Sequence, residues 1–494
     1  MRTSRTAPFE MNVEEFRSAG YKMIDQISDF IDGIADRPVT KGEKPAEIRA
    51  ALRERTLPEN GAEVGDVLDN ATNLMFDHSL LNGHPKFWGY ITASAAPIGA
   101  LGDLLASSVN ANCGAFILSP MATEIEKQTV SWLAELIGYN TDCGGVLVSG
   151  GNMANFTGFL AGRTAKFPKS IKTEGVGAIK KRMMIYCSKG THTWIDKAAS
   201  LFGHGTDSIR WIPTNEKHQM DNKQLESTIE KDIEAGMQPF MVIGTVGDVS
   251  MGVVDDLQGI AEISKKYGMW FHADGAYGVP AACLASEAAT FKGLDSADSI
   301  ALDPHKWLYA PLEAGCTLVK NKQHLLDTFS SHPEYYNFDK NDSDPETNFF
   351  EFGLQNSRGF RALKVWLMLQ QVGRKAYEKM IGDDIDLAKL MFELSDKHLE
   401  LNAVSHSLSI TTFQYVPEDC DLIGDERKKH LNQLNENLVD VLQAGGEVFV
   451  SNAVVNGDYC LRACITNFRT TVQDCHFLIE TAVREGRKIA EKTR

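Results

Sequence analysis

Phe16, Met23, Ile27, Phe30, Ile31 and Ile34 recur at helical spacing, so the chain over 13–34 predicts one amphipathic helix. Asn12 stands before it as a cap, with Glu15 three residues on, the pattern of a capping box. Pro38 and Pro45 punctuate the chain beyond this helix, and a second helical stretch covers 63–73. From about residue 120 the pattern changes. A helix over 122–137 leads to a short apolar run at 145–149, a glycine turn, and a helix over 152–166. Further compact apolar runs lie at 183–187, 240–246, 269–273, 299–302 and 317–319, with a helical segment at 257–267 among them. Short buried strands alternating with helices predict an α/β fold built on a mostly parallel sheet covered on both faces. Such sheets bind ligands at the carboxyl ends of their strands.

After Phe360 a long helical stretch over 361–373 leaves the sheet region, and a strand is expected at 408–413. The expected organisation is a helical N-terminal segment (1–95), a large α/β domain (96–363) and a smaller C-terminal domain (364–494). Residues 332–348, rich in Asp, Asn, Glu, Pro and Tyr, read as a long loop of the kind that serves as a lid. An amphipathic helix at the start of the chain needs a surface to cover it, supplied by the rest of the chain or by a second subunit.

Composition narrows the function classes. With 494 residues, 43% of them hydrophobic and 23% charged, the chain is an ordinary globular one with room for more than one core. The formal net charge of −16 argues against a nucleic acid or an anionic membrane as the main partner. It leaves room for an anionic cofactor, which a few N–H groups and one or two cations can hold. The cysteines number nine, an odd count without a CxxC pair, which fits reduced thiols in the cytoplasm better than a disulfide framework. Cys460 and Cys464 form a close pair without further ligands at metal-binding spacing, so no metal site is expected. No secretory apolar segment stands at the beginning, and no run approaches the ~18 apolar residues of a membrane span. A soluble, cytoplasmic protein is the expectation.

Three strand ends carry reactive side chains: Asp274 in WFHADGAYG, Lys306 in SIALDPHKW and His192 in YCSKGTHTW. The turn SGGN at 149–152 opens a helix. A helix N-terminus preceded by glycines offers free N–H groups and a positive dipole end to a phosphate. A strand-end carboxylate can keep a pyridine nitrogen protonated, making the ring an electron sink. A partly desolvated lysine near a cationic ring can form a Schiff base, and a histidine can stack on the ring or move a proton. Each piece alone is ordinary: strand-end aspartates usually cap turns, and a lone lysine is usually surface charge. SGGN also departs from both GxGxxG and GxxxxGK[ST], which leaves a dinucleotide or nucleoside triphosphate with little support. The conjunction is what points to pyridoxal phosphate.

HADGAYG with DPHKW after it resembles the signature of the group II pyridoxal-phosphate decarboxylases, a family that includes the aromatic-L-amino-acid, tyrosine, histidine and glutamate decarboxylases. The resemblance extends through HPKFWGYITAS (84–94), SPMATEIEKQTVSWLAELIG (119–138) and NSRGFRALKVW (356–366). It implies the fold-type I, aspartate-aminotransferase-like architecture and a homodimer with shared active sites, acting on an amino acid as its small-molecule substrate. In that pattern Lys306 is the Schiff-base lysine and Asp274 the partner of the pyridine nitrogen. Ala276 is the small residue against the ring, and His192 the histidine stacked on its other face. Gly151, Asn152 and Met153 fall in the phosphate-binding turn, with Asp303 and His305 beside the lysine. Tyr335 matches the loop tyrosine that protonates the carbanion after CO2 departs, and Thr92 and Ser357 the positions that reach substrate. Serine at 357 leans toward tyrosine or dopa within an aromatic substrate class. Four positions depart from the pattern. Asp248 and Val249 replace a threonine pair, with the replacement of that hydroxyl by Ser250 left open. Met153 stands where a serine is usual, and Asp303 stands where many animal members carry Asn. The implied reaction is decarboxylation of an L-amino acid to its amine, with a glutamate-like substrate, an aldehyde synthase or an aminotransferase as alternatives. An aminotransferase would need Arg462 or Arg469 as a carboxylate clamp.

Overall fold

A computed structural model describes residues 9–52, 56–167, 170–331 and 346–493. The strands are β1 (Phe87–Trp88), β2 (Gly144–Val148), β3 (Met183–Ser188), β4 (Ile209–Ile212), β5 (Gln238–Thr245), β6 (Trp270–Asp274), β7 (Ser299–Leu302), β8 (Gly315–Val319), β9 (Leu401–Ser407), β10 (Ile410–Tyr415), β11 (Phe449–Val455) and β12 (Asp458–Cys464). Seven of them form the central sheet in the order β2-β8-β7-β6-β5-β3-β4. The pairs β4–β3, β3–β5, β5–β6 and β6–β7 are parallel, and every residue of β2, β3, β6, β7 and β8 is buried. This is the doubly covered α/β sheet that the apolar runs predict, and it agrees with the fold-type I expectation.

One strand runs against the expected direction. β8 is antiparallel to both β7 and β2. A parallel return needs a helical crossover, and residues 303–314 contain none, so the chain comes back antiparallel. That connection carries Lys306.

The helix Gly151–Lys166 packs closely on the sheet because Gly158 and Gly162 lack a Cβ. A Cβ at Gly158 would stand 2.9 Å from His272 Cε1, and one at Gly162 2.8 Å from Trp270 Cδ1. Close approach of this helix brings its polar side chains within reach of β6.

The second sheet has the order β1-β11-β12-β10-β9 and packs against the helices Ala362–Lys397, Gly424–Gly445 and Val472–Thr493. The first of these is interrupted at Gly373, whose φ of 70° and ψ of 172° are not helical. The strand expected from 408 begins at Ile410 instead, because Leu408 (φ 47°) turns the β9–β10 hairpin in the left-handed region. β1 joins this sheet by parallel pairing with β11, Phe87 opposite Phe449.

The first helix, Val13–Asp32, has the expected capping box: Asn12 Oδ1 accepts the Glu14 and Glu15 N–H groups, and Glu15 Oε2 accepts the Asn12 N–H. Its packing partner is the helix Val64–His78, through a Phe30–Phe76 ring stack at 4.1 Å. Val13, Phe16 and Tyr21 remain exposed. Among the described residues no helix is long and apolar enough to cross a membrane.

Candidate active site

A cavity of about 520 Å³ opens where the carboxyl ends of β3, β5, β6 and β7 meet the glycine turn after β2. Asp274, His192, Lys306, Asp303, His305, Ala276, Gly151, Asn152 and Met153 all line it. The structure thus brings together most of the residues singled out from the sequence.

Asp274 ends β6 and is buried. Its Oδ2 accepts the Trp194 indole N–H at 2.7 Å, and its Oδ1 accepts the Asn155 amide at 3.3 Å and the Ala276 N–H at 3.4 Å. Behind Asn155 lies a buried line of polar groups. Asn155 Oδ1 is 2.7 Å from His272 Nε2, His272 Nδ1 is 2.7 Å from Ser299 Oγ, and Ser299 Oγ accepts the Trp270 indole N–H at 2.8 Å. Complete burial disfavours the charged imidazolium of His272, lowering its pKa.

Lys306 comes after β7 in a turn closed by its own N–H to the Asp303 carbonyl at 2.9 Å. Its Nζ lies 3.2 Å from Asp303 Oδ2. That carboxylate is almost wholly buried, and neither of its oxygens makes a hydrogen bond to another described residue. His305 Nδ1 accepts the Ala314 N–H at 3.0 Å, and its Nε2 is 3.7 Å from Asp303 Oδ2. The lysine turn is anchored from behind. Trp307 and Tyr309 both donate to Asp384 Oδ2, at 2.8 and 2.7 Å, and Trp307 stacks on Tyr277 at 5.0 Å.

The glycine turn has physical reasons for its glycines. A Cβ on Gly151 would lie 2.7 Å from Asp303 Oδ2, and one on Gly315 would lie 2.6 Å from the Gly150 Cα. No side chain caps the helix that Gly151 begins, so its first N–H groups face the cavity end without an internal acceptor. His192 sits after β3, where its Nδ1 accepts the Trp194 N–H at 3.3 Å. Burial lowers its pKa, with Lys306 adding to the effect and Asp274 opposing it, which favours the neutral imidazole.

Other expected residues stand elsewhere. Asp248 and Val249 line the cavity, but Ser250 does not. Asp248 turns its oxygens to the N–H groups of Ser250, Met251 and Val253, at 2.8, 3.0 and 2.8 Å, and so braces a turn. A hydroxyl does border the cavity at the end of β5, where Thr245 shares a 2.9 Å hydrogen bond with Thr191. Thr92 lines a second, mainly apolar cavity of about 380 Å³ beneath the first helix, which also touches His305 and Arg469. Ser357 is exposed, next to the buried Arg358–Glu126 ion pair at 2.5 Å. Arg462 is buried and donates to the Tyr90 carbonyl and Ser451 Oγ at 2.9 and 3.0 Å. Tyr335 lies outside the described residues. No group of metal-ligating side chains occurs among the described residues.

Trp194, Asn155 and His272 escape sequence reasoning. An indole or amide that braces a carboxylate leaves no periodic trace, although Asn155 lies one helical turn beyond Gly151 and so on the same face.

These groups fit pyridoxal phosphate. The uncapped N–H groups that open the Gly151 helix suit a phosphate. Gly151 and Ala276 leave room for a flat ring, and Asp274 is held ready for a ring nitrogen. Comparison with known proteins agrees. The pyridoxal-dependent decarboxylase conserved domain matches residues 45–415. The aromatic-L-amino-acid decarboxylase of Bacillus atrophaeus is 32% identical over 466 residues, covering 94% of each chain. Catharanthus roseus tryptophan decarboxylase, solved with L-tryptophan, superposes with a TM-score of 0.86 at 26% identity, over 96% of this chain and 99% of that one. Oryza sativa TDC, solved with PLP and tryptamine, shares the fold at a TM-score of 0.90 and 24% identity, over 98% of this chain and 100% of the other. This chain belongs to the pyridoxal-dependent decarboxylase family, and its cofactor is pyridoxal 5'-phosphate.

Proposed function

We propose that this enzyme removes the carboxyl group of an aromatic L-amino acid, of the tyrosine, dopa, tryptophan or phenylalanine class, and releases the amine. The observation that carries the reading is that Lys306, Asp274 and the glycine turn line one cavity. The aromatic class is supported by relatives named for aromatic substrates across nearly the whole length of the chain.

Pyridoxal phosphate, when bound, supplies a protonated pyridine ring that takes up the electron pair left by departing CO2. Lys306 provides the amine that carries it. Asp274, held by Trp194 and Asn155, keeps the ring nitrogen protonated. The backbone at Gly151, Asn152 and Met153 gives N–H groups to the phosphate, with Asp303 and His305 at its border and Ala276 against the ring. Asp303 also holds Lys306 Nζ at 3.2 Å. His192, neutral through burial, presents an uncharged imidazole for ring packing and for accepting a proton. Tyr335 returns a proton to the substrate α-carbon, Thr92 and Ser357 reach the substrate, and Ser357 favours a phenolic ring.

The reading includes a homodimer in the cytoplasm, with residues 1–95 embracing the partner, 96–363 holding the cofactor and 364–494 forming the smaller domain. Support comes from the apolar row left exposed on the first helix, and from Thr92 and Ser357, neither of which lines the cavity on this chain. Nine free cysteines fit a reducing compartment. The test is CO2 release from a panel of tyrosine, dopa, tryptophan, phenylalanine and glutamate, with amine and aldehyde measured together. Turnover of aromatic substrates to amine is expected. Turnover of glutamate alone, or aldehyde as the product, would overturn it.

A further inference from the structure

We infer that Trp194, backed by the buried relay Trp270–Ser299–His272–Asn155, sets the protonation of the cofactor's ring nitrogen by acting through Asp274. The inference rests on the reading that Asp274 faces that nitrogen. Trp194 and the relay members are positioning residues, since they touch Asp274 or one another.

The direction of every hydrogen bond in the relay comes from donor chemistry. An indole N–H can only donate, so Ser299 Oγ accepts from Trp270. At the other end Asp274 Oδ1 takes the Asn155 amide N–H, so Asn155 Oδ1 faces His272 Nε2, which must carry a proton. The neutral buried ring accepts the Ser299 hydroxyl on Nδ1. His272 is therefore the tautomer with its proton on Nε2, and it donates to Asn155 Oδ1. The four relay groups thus align their donors toward one carboxylate oxygen, while Trp194 donates to the other at 2.7 Å. All of these side chains are buried. The burial of His272 keeps it neutral, so the line holds no exchangeable charge of its own.

A carboxylate that accepts N–H groups on both oxygens is a weaker base than a bare one. Sharing a proton with a pyridine nitrogen, such a carboxylate leaves the proton on the ring. Removing the indole N–H makes Asp274 more basic and draws the proton toward it, which weakens the ring as an electron sink. The close helix packing permitted by Gly158 serves this arrangement, because it puts His272 beside Asn155.

The experiment uses the holoenzyme loaded with pyridoxal phosphate carrying 15N in its ring. Trp194→Phe keeps a buried aromatic ring and deletes the N–H. Its ring-nitrogen resonance is expected to move toward the unprotonated pyridine position, with kcat falling about tenfold and KM holding within about threefold. Ser299→Ala, a small change in volume further along the relay, is expected to move the resonance the same way by less. A lower kcat with an unmoved resonance in Trp194→Phe would mean a merely structural role and overturn the inference. If Trp194→Phe does not retain cofactor, an unmoved resonance in Ser299→Ala overturns it equally. Asp274→Asn separates the two readings. Should that variant also leave the resonance in place, the pairing of Asp274 with the ring is wrong. Should it alone move the resonance, only the relay is wrong.

Discussion

Asp274 and Asp303 are both buried aspartates at the ends of adjacent strands, β6 and β7, and both border the same cavity. Their surroundings differ. Asp274 accepts three N–H groups from Trp194, Asn155 and Ala276, whereas Asp303 accepts none and faces a lysine ammonium at 3.2 Å. One carboxylate is locked by the protein before any ligand arrives. The other faces the amine that the chemistry must use. The ring end of the site is therefore preorganised, and the phosphate-and-lysine end is left adjustable.

The comparison can be broken in several places. Lys306→Ala has the largest expected effect, because it removes the amine that carries the cofactor and strips Asp303 of its cation. Activity should fall by roughly 10³-fold or more, with loss of the protein-bound cofactor's visible absorbance. A retained absorbance band would disprove the role of the lysine. Asp274→Asn should cost about 10²- to 10³-fold in kcat, measured by CO2 release, since a prealigned charge is lost. Gly151→Ala places a Cβ 2.7 Å from Asp303 Oδ2, and should weaken cofactor binding about tenfold to a hundredfold in an absorbance titration. Asp303→Asn should be mild, within about tenfold in cofactor affinity, because the amide keeps an acceptor and lifts a negative charge from beside the phosphate. If Asp303→Asn costs as much as Asp274→Asn, the contrast between the two ends fails.

The smallest effect concerns a third buried aspartate. Burial raises the pKa of Asp384 to about 7, opposed by its hydrogen bonds from Tyr309 and Trp307. A carboxyl whose folded pKa lies above its unfolded value of 3.8 binds protons more readily when folded, so its contribution to stability is full below about pH 4 and lost as pH rises through about 7. Asp384→Asn should flatten the fall in Tm across that window, as melts at about pH 4 and about pH 7 would show. An unchanged slope would remove Asp384 from the pH dependence.

Much of this was legible in the sequence where chemistry and local pattern coincide. Asp274 and Lys306 come at or shortly after the ends of compact apolar runs, and Asn12 and Glu15 sit at capping spacing, so the site's frame and the first helix could be read directly. Direction was not legible. The run at 317–319 looks the same whether parallel or antiparallel, and only the missing crossover after Lys306 decides it. Bracing contacts were hidden too, because Trp194, Asn155 and His272 meet through the packing of separate elements. Asp248 looked like a lost hydroxyl and is a turn brace, a role set by three backbone N–H groups that no side-chain pattern announces.

The pairing of β1 with β11 has a consequence for biosynthesis. Phe87 and Phe449 are neighbours in a ladder although 362 positions separate them (449 − 87). At about 5–20 residues per second, a ribosome needs roughly 20 to 70 s between making the first strand and making its partner. Through that interval the nascent chain holds Phe87 and Trp88 without the strand that covers them, a natural point for a chaperone to bind.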